Sequence, residues 1–480
     1  MTSTINRILL KNGLLLIHGD DGKVTPTRAD LMVEGDRIIK INDKIEASVD
    51  NVKVFDCEGK VVLPGFISTH HHVWQTALKG RHVNQTLLEY LPSGNFSGAF
   101  YSVEDAFWGE LGGALEAIDG GTTTVVDHSS LNFGPEYRQV LSSWSPLSLH
   151  DDYTSPNVLE SWKSLAAKGP YGDKRVEIGF AVDNIYQSPK EMKKLYSELR
   201  AAKAKVITSH ATSGIAFGNG PSAVQLLNSH GLLGPDILVS HANFPKDGDA
   251  ELVAKHDVYV SSTPNTELQM GWPPIGLLPE FEAHSSLGVD CHSLGSSFMP
   301  SQMRLSLQYA RTERQENLRR QGKWSRHVGP LAEQIFNLAT VGGARAVGMA
   351  GEVGQICVGA KADLVILDTN SPSMFPAAEE DPVAAVVLHS SERDVETVIV
   401  GGVVRKEGGK LLPVTIVNEI QGANKLGLDG KQFTWKDVAV KLLESRKRLN
   451  DKAEGIDMKA VEEEVINNFF MNSKDLVEQD

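Results

Sequence analysis

The 480-residue chain has few cysteines, no long apolar run and no excess of positive charge, and each shortage closes off a class of function. Three cysteines, Cys57, Cys291 and Cys357, are too scattered for a disulfide framework or a cysteine-rich zinc module, which points to a reducing compartment. The opening MTSTINRILLKNG lacks a charged lead followed by a sustained apolar stretch, and no later stretch has the roughly 20 apolar residues that cross a bilayer. The expectation is a soluble, cytoplasmic protein with no membrane partner. Lysine and arginine total 47 against 61 aspartates and glutamates, a net charge of −14. That balance argues against a nucleic-acid or anionic-lipid surface and leaves small-molecule chemistry as the default.

What is present is a regular alternation of short apolar runs with turns and amphipathic stretches. In residues 1–62, RILLKNGLLLI, ADLMVEG, DRIIKI and VKVFDCEGKVVL read as strands punctuated by Asn-Gly, Asp-Asp-Gly and Glu-Gly-Asp. The same texture returns over 351–415 in KADLVILD, VAAVVLH and VETVIVGGVVRKEGGKLL. The two ends are expected to pair into a small composite β-sandwich, with residues 63–350 as an inserted catalytic domain. Residues 416–480 form a charged helical extension that packs on the rest of the chain or on a partner subunit.

Between the ends, strands alternate with helices in the pattern of βαβ units around a parallel sheet. FIST, TTTVVDHSS, RVEIGFAVDN, KVITSH, DILVSH, VYVSSTP and SSLGVD read as seven strands of a (β/α)₈ barrel. VEDAFWGELGGALEAIDGG, PKEMKKLYSELRAAKA, SAVQLLNSHGLL, DAELVAKH, PSQMRLSLQYARTERQENLRRQ and PLAEQIFNLATVGGARAVGM read as helices. Gly120 and Gly121 stop the first of them. The third β/α unit is short: between Ser129 and Val176, PEYRQVLSSW is left for a helix, PLSLH for a strand and ESWKSLAAK for the next helix. A shortened or missing third unit is therefore predicted.

The chain is organised around LPGFISTHHHVWQTALKG, Leu63 to Gly80. Side chains alternate along a strand, so His70 and His72 share one face and His71 takes the other. Two imidazoles on one face suit a zinc or iron ion completed by ligands from elsewhere. In a parallel barrel the strand C-termini meet at one mouth, so the last residue of each strand is the informative one. The first ends in His70 and His72, the fifth in His210, the sixth in His241 and the eighth in Asp290. Any one alone would read as a solvated strand end; together they describe a metal site.

With these residues in place, the chain resembles the amidohydrolase superfamily, in the branch of cytosine, guanine and methylthioadenosine/adenosylhomocysteine deaminases and triazine chlorohydrolases. The resemblance rests on the His70–His72 motif, GGTTTVVDHSS, ITSHATSG, ILVSHANF, SSTPNTELQMGW, SSLGVDCHS and GARAVGMAGEVGQICVGAKADLVILD, and it covers most of the chain. It implies a (β/α)₈ barrel with a composite β-sandwich and one divalent metal ion, zinc ahead of iron. It implies His70, His72, His210 and Asp290 as ligands and His241 beside the metal-bound water and substrate. A divalent ion lowers the pKa of bound water from ~15.7 towards neutrality. Asp290 is then the general base, and His241 stabilises the charge that develops on the substrate.

The implied reaction is hydrolysis of a C–N bond, by deamination or amide cleavage, in a nitrogen heterocycle or cyclic amide. The fourth-strand stretch RVEIGFAVDN has no lysine near its end for a second metal, so one ion is expected. Trp74, Gln75, Met270 and Trp272, with His241, are the expected substrate contacts, while His128 and His292 read equally as pocket-lining or structural residues. Ser213 stands where the deaminases of this branch carry a glutamate that shuttles protons. That departure keeps hydrolytic dehalogenation of a heteroaromatic ring open, and the short third unit keeps a non-catalytic homologue open. A homodimer is compatible with the branch.

Overall fold

In the computed structural model, residues 7–19, 21–46, 52–129, 131, 156–213, 220–417, 426–468 and 476–477 are described. Strands β1 (Arg7–His18), β2 (Val24–Glu34), β3 (Arg37–Asn42), β4 (Val52–Asp56) and β5 (Lys60–Pro64) come from the N-terminal end. Strands β6 (Phe66–His71), β7 (Thr122–Asp127), β8 (Phe180–Ala181), β9 (Ile207–Ala211), β10 (Ile237–His241), β11 (Tyr259–Ser262) and β12 (Ser285–Leu287) follow in the middle. Strands β13 (Leu364–Asp368), β14 (Val395–Val400), β15 (Val403–Glu407) and β16 (Lys410–Leu411) lie towards the C-terminus.

The two chain ends meet in one nine-stranded sheet, ordered β16-β15-β14-β13-β5-β1-β2-β3 with β4 also on β1. The join is antiparallel pairing of β13 with β5, Val365 opposite Leu63 and Ile366 opposite Val62. Ile8, Leu10, Leu15, Leu31, Val33, Val62, Leu364, Ile366 and Ile399 of this sheet form a core of their own. VAAVVLH, read from sequence as a strand, is helical over Pro382–His389 instead. Asp381 caps its first turn by accepting from the Ala384 amide, and Pro382 presets the helical φ at the first position. Val383, Val386 and Val387 pack this segment against Met303 and Leu307.

All seven of the strands read for the middle region are present and parallel. Strands β8 to β12 form one sheet, and β6 pairs with β7. The amides of Val289 and Asp290, just past β12, both donate to the His70 carbonyl, so β6 is flanked by β7 and by the end of β12. Gly288 permits that approach, since a Cβ there would lie 2.7 Å from the His70 carbonyl oxygen. Helices Pro189–Ala201, Ala223–Ser229 and Asp249–His256 cover the outside, burying Met192, Leu195, Leu199, Leu227 and Val253 against Ile207, Ile237, Val239 and Val260. The segments PEYRQVLSSW and PLSLH lie outside the described residues, and Pro156–Lys168 is helical as read.

Helix Val103–Asp119 ends at Gly120, and Gly121 takes φ +86° before β7 begins. PLAEQIFNLATVGGARAVGM, read as one helix, is two: Ala332–Leu338 and Val341–Ala346. The break falls where the Ile67 amide of β6 takes the Ala339 carbonyl as its acceptor, which removes that group from an intrahelical bond. The C-terminal helix Trp435–Ala453 packs Val438, Leu442 and Leu449 against a cluster containing Trp74, Ala77, Leu78 and Trp108. Its Arg446 donates to the carbonyls of Ala77 and Lys79, and its Arg448 pairs with the buried Asp105. The extension therefore braces the segment that follows the metal motif. No helix among the described residues is long and apolar enough to cross a membrane.

Candidate metal centre and active site

His70, His72, His210 and Asp290 come from three different strand ends, yet one ligand atom of each lies within 4.8 Å of all the others. The Asp290 Oδ1 is 3.4 Å from His70 Nε2 and 3.3 Å from His72 Nε2, and the His72 and His210 Nε2 atoms are 3.3 Å apart. Backbone geometry contributes to this convergence. Asp290 and His241 adopt φ +62° and +72°, a left-handed conformation uncommon outside glycine, which turns each side chain at its strand end.

Each imidazole is fixed through its other nitrogen. His70 Nδ1 lies 2.8 Å from the Ser240 hydroxyl, His72 Nδ1 donates to the His128 carbonyl at 2.7 Å, and His210 Nδ1 donates to Asp183 at 2.9 Å. Three ring nitrogens are thereby presented to one point, the arrangement that orients histidine ligands in metal sites. The donor set passes a direct test of fit. His70 Nε2 is buried with no hydrogen-bond partner among the described residues, a cost that a metal ion would remove. Burial holds the His70 pKa well below its ordinary value, so the ring is neutral and its lone pair is free. Burial alone would raise the Asp290 pKa, but the ring nitrogens of His70 and His72 and the neighbouring His241 hold it well below the usual carboxylate range. Burial likewise works against a charged His210, and the adjacent Asp183 carboxylate outweighs it and raises the pKa.

His241 stands beside this cluster, its Nε2 4.0 Å from Asp290 Oδ2. Trp272 lies next to it, ring centroids 5.9 Å apart, and is half-buried. The other expected substrate contacts sit elsewhere. Trp74 is fully buried, edge-on to Tyr101 within the cluster under the C-terminal helix. The Gln75 amide donates to the Tyr90 hydroxyl at 2.7 Å and its carbonyl accepts from Ser293 at 3.0 Å. Both side chains are packed within the protein, where the sequence reading expected a stacking and hydrogen-bonding pair for substrate. Met270 packs with Tyr90, Leu91, Cys291 and Leu294.

His71 faces away from the cluster, as alternation requires. Its Nε2 meets His292 Nδ1 at 2.9 Å, and His292 Nε2 meets the Thr76 hydroxyl at 3.0 Å, so His292 is part of the scaffold. His128 bonds Asp183 at 3.1 Å, and burial lowers its pKa to about 4. Two residues at this site went unassigned in the sequence: Asp183, at the end of the fourth-strand stretch, and Glu267. Asp183 was findable by the strand-end rule that found the others. Glu267 sits in a helical turn after β11, where no sequence rule marks it. Ser213 is placed by its amide, which donates to the Asn243 carbonyl at 3.4 Å.

The profile of the amidohydrolase family matches residues 61–405. This chain belongs to that family. Among curated relatives of this amidohydrolase, the 5-methylthioadenosine/S-adenosylhomocysteine deaminase of Thermococcus onnurineus is 29% identical over 416 residues, covering 82% of this chain and 93% of the relative. The 5'-deoxyadenosine deaminase of Methanobrevibacter smithii is 27% identical over 433 residues, covering 85% and 94%. Two solved structures share the fold of this amidohydrolase. An adenosine deaminase from Xanthomonas campestris with bound zinc superposes at TM-score 0.70, 17% identity, with 92% of this chain and 98% of that one covered. Atrazine chlorohydrolase from Arthrobacter aurescens, complexed with zinc, superposes at 0.66 and 18% identity, covering 88% and 99%.

Proposed function

We propose that this amidohydrolase is a mononuclear metal-dependent hydrolase that releases ammonia from an aminated nitrogen heterocycle, in a closed (β/α)₈ barrel. The observation that carries the reading is the convergence of three ring nitrogens and the Asp290 carboxylate within 4.8 Å, with His241 at its edge. His70, His72, His210 and Asp290 would hold one divalent ion, zinc by the donor set. Such an ion supplies a Lewis acid and an activated water at neutral pH.

The chain's own residues supply the rest. Asp290, ionised and with Oδ2 turned towards His241, accepts the proton of the attacking water. His241 Nε2 faces the same space and accepts a hydrogen bond from the attacking water or the substrate amine. The water oxygen adds to the ring carbon as the C=N electron pair moves onto the ring nitrogen; when that pair returns the exocyclic C–N bond breaks, and the proton taken by Asp290 leaves with the amine as ammonia. Trp272 offers an aromatic face beside the reacting ring. The deaminase relatives direct the substrate towards an adenosine-like nucleoside. Ser213, a hydroxyl where the resemblance to the deaminase branch implies a carboxylate, favours one second reading: hydrolytic dehalogenation, whose leaving halide needs no proton.

The test is zinc-loaded protein incubated with 5'-deoxyadenosine, 5-methylthioadenosine and a chlorotriazine, with ammonia and chloride measured. Ammonia release abolished by Asp290→Asn supports deamination. Chloride release alone replaces it with the second reading, and a folded, zinc-loaded protein that releases neither sinks both.

A further inference from the structure

Glu267 is fully buried and carries a carboxylate that the reaction above does not use. Its Oε2 accepts from the Ser262 hydroxyl at 2.7 Å. Its Oε1 accepts no hydrogen bond among the described residues and faces His241 Nδ1 at 3.5 Å. A buried carboxylate is costly without a partner, and the partner it faces is the imidazole at the edge of the metal cluster.

The neighbouring hydroxyls fix which nitrogen of that imidazole carries hydrogen. Thr266 Oγ1 donates to the Thr263 carbonyl at 3.1 Å, because a carbonyl can only accept. Thr266 Oγ1 must then accept in its 2.9 Å contact with Thr263 Oγ1, which uses the Thr263 proton. The 3.0 Å contact between Thr263 Oγ1 and His241 Nδ1 is left with one polarity: Nδ1–H donates. Glu267 Oε1 offers that N–H a second, charged acceptor. Nε2 is thereby turned towards Asp290 and the reaction space.

We propose that Glu267 is a positioning residue that, with Thr263, fixes the tautomer and orientation of His241 so that it meets substrate through Nε2. The proposal rests on the deaminase reading for its kinetic consequence and on geometry alone for its structural one, so the test has two arms. In the first, ¹⁵N-histidine NMR of the zinc-loaded protein, with His241 assigned by loss of its signal in His241→Asn, shows Nδ1 protonated. Glu267→Leu, which replaces the charge at similar volume, shifts the Nδ1 signal as that N–H loses its charged acceptor. An unchanged ring signal in Glu267→Leu overturns the proposal, whether or not any substrate is turned over.

In the second arm, Glu267→Gln keeps shape and an acceptor oxygen but loses the charge. It retains about one zinc per chain and melts within a few degrees of the parent. Its kcat on 5'-deoxyadenosine falls about 10- to 100-fold, the range for losing a supporting carboxylate, with KM within about twofold. A parental kcat, or loss of zinc from Glu267→Gln, overturns the positioning role. A parent that releases no ammonia fails the deaminase reading only, and the NMR arm still decides this one.

Discussion

His70 and His71 are neighbours in one strand, both fully buried, and the protein uses them in opposite ways. His70 and His72 each aim a ring nitrogen at Asp290, and His70 Nε2 has no hydrogen-bond partner among the described residues. His71 aims its Nε2 at His292, which hands the contact on to Thr76 and reaches within 3.9 Å of Glu116. One face of β6 turns its ring nitrogens towards a carboxylate and a third imidazole; the other joins a chain of hydrogen bonds through His292 to Thr76. Residue type and burial are the same on both faces. What makes a ligand is the geometry of the partner across the gap, and strand alternation assigns each histidine to its side.

The comparison can be broken most severely at the metal face. His70→Ala or His210→Ala is expected to leave the purified protein without stoichiometric metal by elemental mass spectrometry, and Asp290→Asn to lower turnover by about 10³-fold or more. Metal retained in both histidine variants would mean that this face is not the ligand face. Next comes the support behind His210. Asp183→Asn keeps a bond to Nδ1 but removes the charge, and should weaken zinc about 10- to 100-fold in competition with a chelator while the fold persists.

On the opposite face, His71→Ala should keep its metal and lose stability instead, by about 2–4 kcal/mol in urea unfolding, from a cavity and an unpaired His292. Metal loss from His71→Ala with retention in His72→Ala would reverse the assignment of faces. The smallest effect separates the faces by pH. Burial, with the charge of Lys79, lowers the His292 pKa to about 3 from 6.5. Below 6.5 the unfolded chain takes up a proton that the folded chain refuses. The associated stability is complete above pH 6.5 and lost as pH falls towards 3, at up to about 1.4 kcal/mol per unit. In metal-free protein, His292→Asn should flatten the decline between pH 6.5 and 4.5; parallel curves for the two proteins would refute the shift.

The grouping of these side chains was legible in the sequence. His70, His72, His210, His241 and Asp290 were grouped from sequence because each ends an apolar run, and a parallel arrangement of strands brings such ends together. Asp183 obeys the same rule but lies at the end of the two-residue β8, whose preceding stretch RVEIG is too polar and broken to mark its boundary. Trp74 and Gln75 show what sequence adjacency leaves out. They follow the ligands directly in sequence, but the chain turns at His72 into a short helix over Val73–Leu78 that is buried on every side.

The sequence by itself determined the strand and helix periods, the alternation that divides His70 and His72 from His71, and the chemical class of the ligands, because these are local properties of neighbouring residues. Tertiary structure decided the rest. It split Ala332–Ala346 into two helices through a bond to Ile67, turned VAAVVLH into a helix packed on Met303, laid the C-terminal helix against Trp74, and set Glu267 behind His241. Each of these depends on a group far away in the chain, on the free energy of burying one surface against another or of satisfying one polar atom. No pattern confined to a few consecutive residues carries that information.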